Sequence, residues 1–242
     1  MEENKTKNNR FDVLSYHIVR TMPHSPNRQN HMIDQFKKLK PEGEAKCNLL
    51  YGFNLDMTLE KCKVNKSVSK LNKKRKQQIR YIENLPGSLG CTISFYSAIN
   101  IAKMANFPYV FIFEDDIFFC DNFIEIMNSQ LESLPDDFEV CILGRNRNDF
   151  EPIAYNDFLM KADNIHNNGG YALLINNTAY DKILLDFATN PLLLVDDFWY
   201  VCGYKNCYCS ENNLVISNPD PRYSTIESRE HIQKNNETQK NT

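Results

Sequence analysis

Glu114, Asp115 and Asp116 stand in a row directly after Tyr109-Val110-Phe111-Ile112-Phe113. Adjacent carboxylates repel one another, so three together are tolerated at a solvent-facing tip or around a cation. Hard oxygen ligands at alternate positions suit Mg²⁺ or Mn²⁺, an ion often shared with the phosphates of a bound nucleotide. On an extended strand Glu114 and Asp116 point the same way, which makes them the metal-facing pair. If the chain turns after Glu114, Asp115 takes the place of either one. The plainer alternative is a solvated acidic turn, since Asp121 also reads as a helix start. A second acidic motif, Val195-Asp196-Asp197-Phe198-Trp199, follows Leu192-Leu193-Leu194 and carries the single Trp. A carboxylate beside aromatic rings is a candidate general base, and the rings can stack on a sugar face. The same residues also read as the start of a helix whose dipole favours Asp at its N-terminus. A cation site and a base together are what metal-assisted group transfer requires.

The elements that must position these groups follow from apolar periodicity. The short run before Glu114 is rich in Val, Ile and aromatics and predicts a strand buried on both faces. Ligands bind outside the carboxyl ends of such strands in open α/β sheets. Residues 11–21 predict a first strand. Ser25-Pro26 then predicts a helix start with Pro at the first helical position, and Met32, Ile33, Phe36 and Leu39 form its apolar face. Residues 47–51 predict a second strand. Residues 88–106 predict a long helix with Cys91, Phe95, Ala98 and Ala102 in one stripe, stopped by Pro108. A further helix over 122–134, a strand over 138–143, an irregular polar loop over 145–168, a strand over 171–175 and a helix over 176–187 complete the pattern. Strands alternating with helices predict a mainly parallel sheet.

Composition narrows the function classes. The net charge of −3 over 242 residues excludes a general nucleic-acid-binding protein. Residues 1–10 are polar, without the apolar core of a signal peptide, and no apolar run approaches a membrane span. Contact with a membrane surface stays open. The eight cysteines lie mostly among apolar neighbours and read as reduced core thiols, which implies an intracellular, cytoplasmic protein. Cys202, Cys207 and Cys209 lack the paired knuckles of a zinc site. Residues 61–80 hold nine Lys or Arg and read as a solvated insertion, or as a basic flap that meets phosphate. The organisation expected is a polar tail over 1–10, one domain over 11–224 carrying that insertion, and a polar tail over 225–242.

Gly90-Cys91-Thr92-Ile93-Ser94, a helix, and Phe113-Glu114-Asp115-Asp116-Ile117 resemble the core signature of glycosyltransferase family 25. That family includes bacterial lipooligosaccharide galactosyltransferases and collagen galactosyltransferases. Residues 19–28, with Ser25-Pro26-Asn27-Arg28, resemble its opening strand and helix start. Residues 138–144 resemble its strand ending in Leu-Gly, residues 170–175 its later Gly-Tyr strand, and Val195-Asp196-Asp197 its late V-D-D motif. This chain has Ser94-Phe95 where the family usually has Ser-His. Thr21, Pro23 and His24 stand where the opening strand normally carries Asn, Asp and Arg.

The resemblance implies an α/β domain of the GT-A type, with a Rossmann-like sheet flanked by helices. It implies an inverting, metal-dependent hexosyltransferase that moves galactose or glucose from a UDP-sugar to a glycan or hydroxylated protein acceptor. Mn²⁺ or Mg²⁺ would bridge Glu114, Asp116 and the donor diphosphate. Thr21, His24, Arg28, Ser94 and Asp115 would line the donor site, and Asp197 or Asp196 would be the base. The competing readings are a non-catalytic sugar- or nucleotide-binding relative and a metal-dependent phosphodiesterase or nuclease.

Overall fold

The structure is a computed structural model that describes residues 16–21, 25–39, 47–51, 86–144, 153–162, 171–189, 204 and 206–218. Residues 61–80 and the Asp196–Asp197 motif lie outside these. The elements begin with β1 (His17–Thr21), α1 (Pro26–Leu39), β2 (Leu49–Tyr51), α2 (Pro86–Met104), β3 (Tyr109–Glu114), β4 (Ile117–Phe119) and α3 (Phe123–Ser133). They continue with β5 (Val140–Ile142), β6 (Ile153–Ala154), β7 (Leu159–Lys161), β8 (Ala172–Asn176), α4 (Tyr180–Thr189), β9 (Cys207–Ser210) and β10 (Val215–Ser217).

Eight strands form one sheet in the order β2-β1-β3-β8-β5-β9-β7-β6. β1 pairs in parallel with β2 and β3, and β5 with β9. β8 runs antiparallel between β3 and β5, and β7 runs antiparallel to β9 and β6. The expected α/β sheet is therefore mainly parallel in strand direction, with β7 and β8 reversed. β4 pairs with β10 in a separate antiparallel ribbon.

The unbroken apolar runs follow from burial on both faces. Along β3, Val110 and Ile112 enter one core with Phe95, Ala98, Ile99 and Ala102 of α2 and Ile183 of α4. Tyr109, Phe111 and Phe113 enter the other, with Met32 and Phe36 of α1 and Phe123, Met127 and Leu131 of α3. Helices thus cover the sheet on both sides. The described cysteines are free thiols, and Cys141, Cys207 and Cys209 are buried among these residues. No helix among the described residues is long and apolar enough to cross a membrane.

Helix ends obey local chemistry. α1 begins at Pro26 as expected, and the Ser25 carbonyl accepts from Gln29 N at 3.2 Å. α2 ends through Asn106, which has φ 55°. Asn106 N donates to the Lys103 carbonyl and Phe107 N to the Ala102 carbonyl. This is a Schellman closure with Asn in the position that glycine usually takes. The stop is therefore made at Asn106, ahead of Pro108.

The stretch expected to be an irregular loop contributes instead the β6–β7 hairpin, which extends the sheet past β9. β4, β9 and β10 are likewise absent from the periodicity reading. Strands of two to four residues carry too little alternation to register as a period, and β2 and β5, equally short, were read only from the longer apolar windows around them.

Gly144, just beyond β5, lies where backbone and ring approach closely. A Cβ there would meet the Val215 carbonyl oxygen at 2.3 Å and Tyr171 Cε2 at 2.4 Å. Gly144→Ala is expected to lower stability by about 1–3 kcal/mol, the usual range for overpacking. Urea unfolding measures it, and an unchanged midpoint would show that β10 is not held against β5.

Candidate functional site

The acids sit where the topology favours a ligand. β2 lies on one side of β1 and β3 on the other, so successive connections diverge at the carboxyl ends of β1 and β3. Crevices of this kind hold the ligands of open α/β sheets. β1 ends there with Arg20 and Thr21, and β3 with Glu114. Arg20 is the register partner of Glu114.

The strand stops at Glu114, and Asp115 and Asp116 form a turn. The same-side projection expected for an extended Glu-x-Asp pair therefore does not apply, because the chain turns after Glu114. Glu114 stays beside α2. Arg20 Nη2 donates to Glu114 Oε1 at 2.7 Å. Arg20 Nη1 donates to the Cys91 carbonyl at 2.9 Å and lies 3.0 Å from Cys91 Sγ. The Cys91 thiol in turn points at Glu114 Oε1, 3.5 Å away. Phe95 is wholly buried, and the Arg20 guanidinium stands 5.8 Å above its ring.

Asp115 and Asp116 turn instead toward α1. Arg28 Nη1 donates to Asp115 Oδ1, and Arg28 Nη2 donates to Asp116 Oδ2 at 3.2 Å. The Asp115 side chain is only 3% exposed, against 14% for Asp116 and 32% for Glu114. Asp115 is thus a buried ion-pair partner, whereas Asp116 keeps its Oδ1 buried without a hydrogen-bond partner. The Asp116 carboxyl is pushed up to about 6 by burial and by the charges of Glu114 and Asp115, against the pull of Arg28. Burial pulls the Arg28 guanidinium down, and Asp115 and Asp116 more than reverse it.

The turn's backbone has its own fastenings. Asn218 N donates to the Asp116 carbonyl at 2.8 Å. His31 Nε2 lies 2.7 Å from the Ile117 carbonyl, which can only accept, so that nitrogen carries the proton. Gln35 Oε1 accepts from Phe119 N. α1 is thereby tacked along β4, with Arg28 over the acids.

Of the other residues read from the sequence, Thr21 is buried at the tip of β1 and its Oγ1 has no hydrogen-bond partner. Ser94 is buried in α2 and donates to the Cys91 carbonyl at 2.8 Å, so it reaches the acids only through that carbonyl. His24, Asp196 and Asp197 lie outside the described residues. Arg20 carried no role in the sequence reading, and Cys91 was read only as part of the apolar stripe of α2. The signal for Arg20 was a cation directly after the apolar Ile18-Val19, in a strand read beside one that runs into three acids.

A family model described as glycosyltransferase family 25 (LPS biosynthesis protein) matches residues 15–183. The chain belongs to glycosyltransferase family 25. The match runs from β1 into α4 and includes Arg20, Arg28, Cys91 and all three acids, while Asp196 and Asp197 fall beyond its end. No curated protein matches the chain. Among solved structures, the apo form of mouse xyloside xylosyltransferase 1 aligns with 10% identity and a TM-score of 0.36, covering 77% of this chain and 81% of that one. A likeness at that level adds nothing to the assignment. The family match is what makes the protein a glycosyltransferase.

Two outcomes test the charge balance of this family 25 site. Arg28→Ala takes the guanidinium away from buried Asp115 and is expected to cost about 3–5 kcal/mol in urea unfolding. Replacing Arg28→Met together with Asp115→Asn should recover the part of that loss that comes from Asp115, while Asp116 still loses Arg28. Asp116 has a folded pKa of about 6 against an ordinary 3.8. Its contribution to stability is therefore full below the lower value and lost as pH rises through the higher one. Asp116→Asn should raise Tm at pH 7.5 and give little or no gain at pH 4. An equal gain at both would remove the ionised carboxylate as the cause.

Proposed function

We propose that this glycosyltransferase moves a hexose, galactose or glucose, from a UDP-sugar to a hydroxyl of a glycan or hydroxylated protein acceptor. The observation that carries the reading is the acid cluster at the diverging strand ends, with Asp116 Oδ1 buried and unpartnered. A GT-A-type donor site would occupy this crevice.

The residues fit a divalent cation of the Mg²⁺ or Mn²⁺ kind. Such ions bind through one or two carboxylates together with substrate phosphates. Among the described residues no group of three or more His, Cys, Asp or Glu side chains is arranged to hold an ion alone. Asp116, with Glu114 beside it, would therefore share the ion with the donor diphosphate. When bound, the ion would stabilise the negative charge that grows on the leaving phosphate.

The chain's own groups would do the rest. Thr21 Oγ1, buried at the tip of β1 without a hydrogen-bond partner, would meet a donor oxygen, and His24, which follows it, would add a cation. Ser94 would fix the Cys91 carbonyl that holds Arg20, and Arg20 would hold Glu114. Asp197, or its neighbour Asp196, would take the proton from the acceptor hydroxyl. The acceptor oxygen then bonds to the anomeric carbon as that carbon's bond to the diphosphate oxygen breaks. UDP departs with the electron pair, and the anomeric centre inverts.

UDP with Mn²⁺ should raise the Tm of the protein, and excess chelator should abolish the rise. Asp116→Ala should keep the fold but lose both transfer and the Mn²⁺-dependent shift. Full activity in chelator would sink the cation role. Asp197→Asn should lower turnover by about 10²–10⁴, the usual loss on removing a general base, while UDP affinity stays unchanged. If Asp197→Asn and Asp196→Asn both keep near-normal turnover, neither residue is the base.

A further inference from the structure

We propose that Arg28 is a positioning residue for Asp116, acting on the donor through that carboxylate and not by touching the phosphates. The inference rests on the cation–diphosphate reading given above. Arg28 sits in the first turn of α1 and is itself buried. Its two terminal nitrogens are divided between Asp115 Oδ1 and Asp116 Oδ2. That division engages one oxygen of Asp116 and leaves Oδ1 as the buried oxygen without a partner. Asp116 is in a turn, where the strand no longer dictates side-chain direction. The backbone of the turn is held by Asn218 and its next residue by His31, neither of which acts on the carboxylate. Orientation of the carboxylate is thus the work of Arg28. A planar guanidinium forks across two acids at once, whereas the ammonium of a lysine is a point charge on a flexible stem. Groups that orient metal-facing ligands typically change metal affinity about 10–100-fold when altered.

The test compares UDP binding to the full chain by calorimetry, with Mn²⁺ and with excess chelator. Arg28→Lys keeps the charge and loses the fork. It should weaken UDP binding in Mn²⁺ by about 10–100-fold and leave binding in chelator at the wild-type value. If Arg28→Lys does not fold, the paired replacement Arg28→Met with Asp115→Asn removes the buried ion pair as a unit, and the same selective loss is expected. An equal loss with and without Mn²⁺ would mean that Arg28 meets the phosphates directly and would overturn the proposal. Unchanged affinity in both conditions would overturn it as well. Both results leave the donor-site reading standing, provided that the wild type binds UDP more tightly in Mn²⁺. A wild type indifferent to Mn²⁺ would bring down that reading and the role of Arg28 with it.

Discussion

Three consecutive carboxylates at the end of a buried strand repel one another, and their neutralisation by two arginines is the constraint on which this end of the molecule depends. At a separation of 4 Å and an effective dielectric of 20, one pair of like charges is worth about 4 kcal/mol. Total stability is only about 5–15 kcal/mol, so the cluster could not persist unpaired. Arg20 answers Glu114 and Arg28 answers Asp115 and Asp116. Each arginine also ties a layer in place. Arg20 joins β1 and β3 to the N-terminal part of α2 through Cys91. Arg28 joins α1 to the turn that follows β3.

The acids are consequently not equivalent, although the sequence writes them side by side. The end of β3 sorts them across the sheet, with Glu114 beside α2 and Asp115 beneath α1. Asp115 is the most buried and is used up in structure. Glu114 is a third exposed but already accepts from Arg20. Asp116 alone combines a single side-chain partner with an oxygen that has none. A row of like residues has become one deeply buried group and two less buried ones, and the cause is where the strand ends relative to the two helices.

Much of the fold was legible because burial on both faces writes itself into composition. The run at 109–113 reads as an interior strand, and the stripe through Phe95, Ala98 and Ala102 as the face of a helix packed on a sheet. Ser25-Pro26 marked the start of α1 to the residue. What could not be read depends on distance along the chain. Arg20 and Glu114 are 94 residues apart and Arg28 and Asp115 are 87 apart, so their pairing is a property of the sheet order and not of any local pattern. The alternation rule that aligned Glu114 with Asp116 assumed that the strand continued, and it ended one residue too soon. The β6–β7 hairpin and the β4–β10 ribbon were invisible for a different reason. Each strand is held mainly by its neighbours, and its own residues carry almost no periodic signal.

The same charge count bears on how a donor would be held. Three carboxylates and two guanidiniums leave the cluster with a net charge of about −1 when all are ionised. That is little attraction for a divalent ion, which gives up its water reluctantly. The raised pKa of Asp116 reduces it further as the pH falls toward about 6. A nucleotide diphosphate would supply the negative charge and the oxygens that the protein withholds. Two ligands that each complete the other's site bind with positive linkage, and the linkage is reciprocal. On the proposed donor reading, committing two arginines to the chain's own acids would keep the crevice from holding a cation on its own and would make retention of the ion depend on the donor.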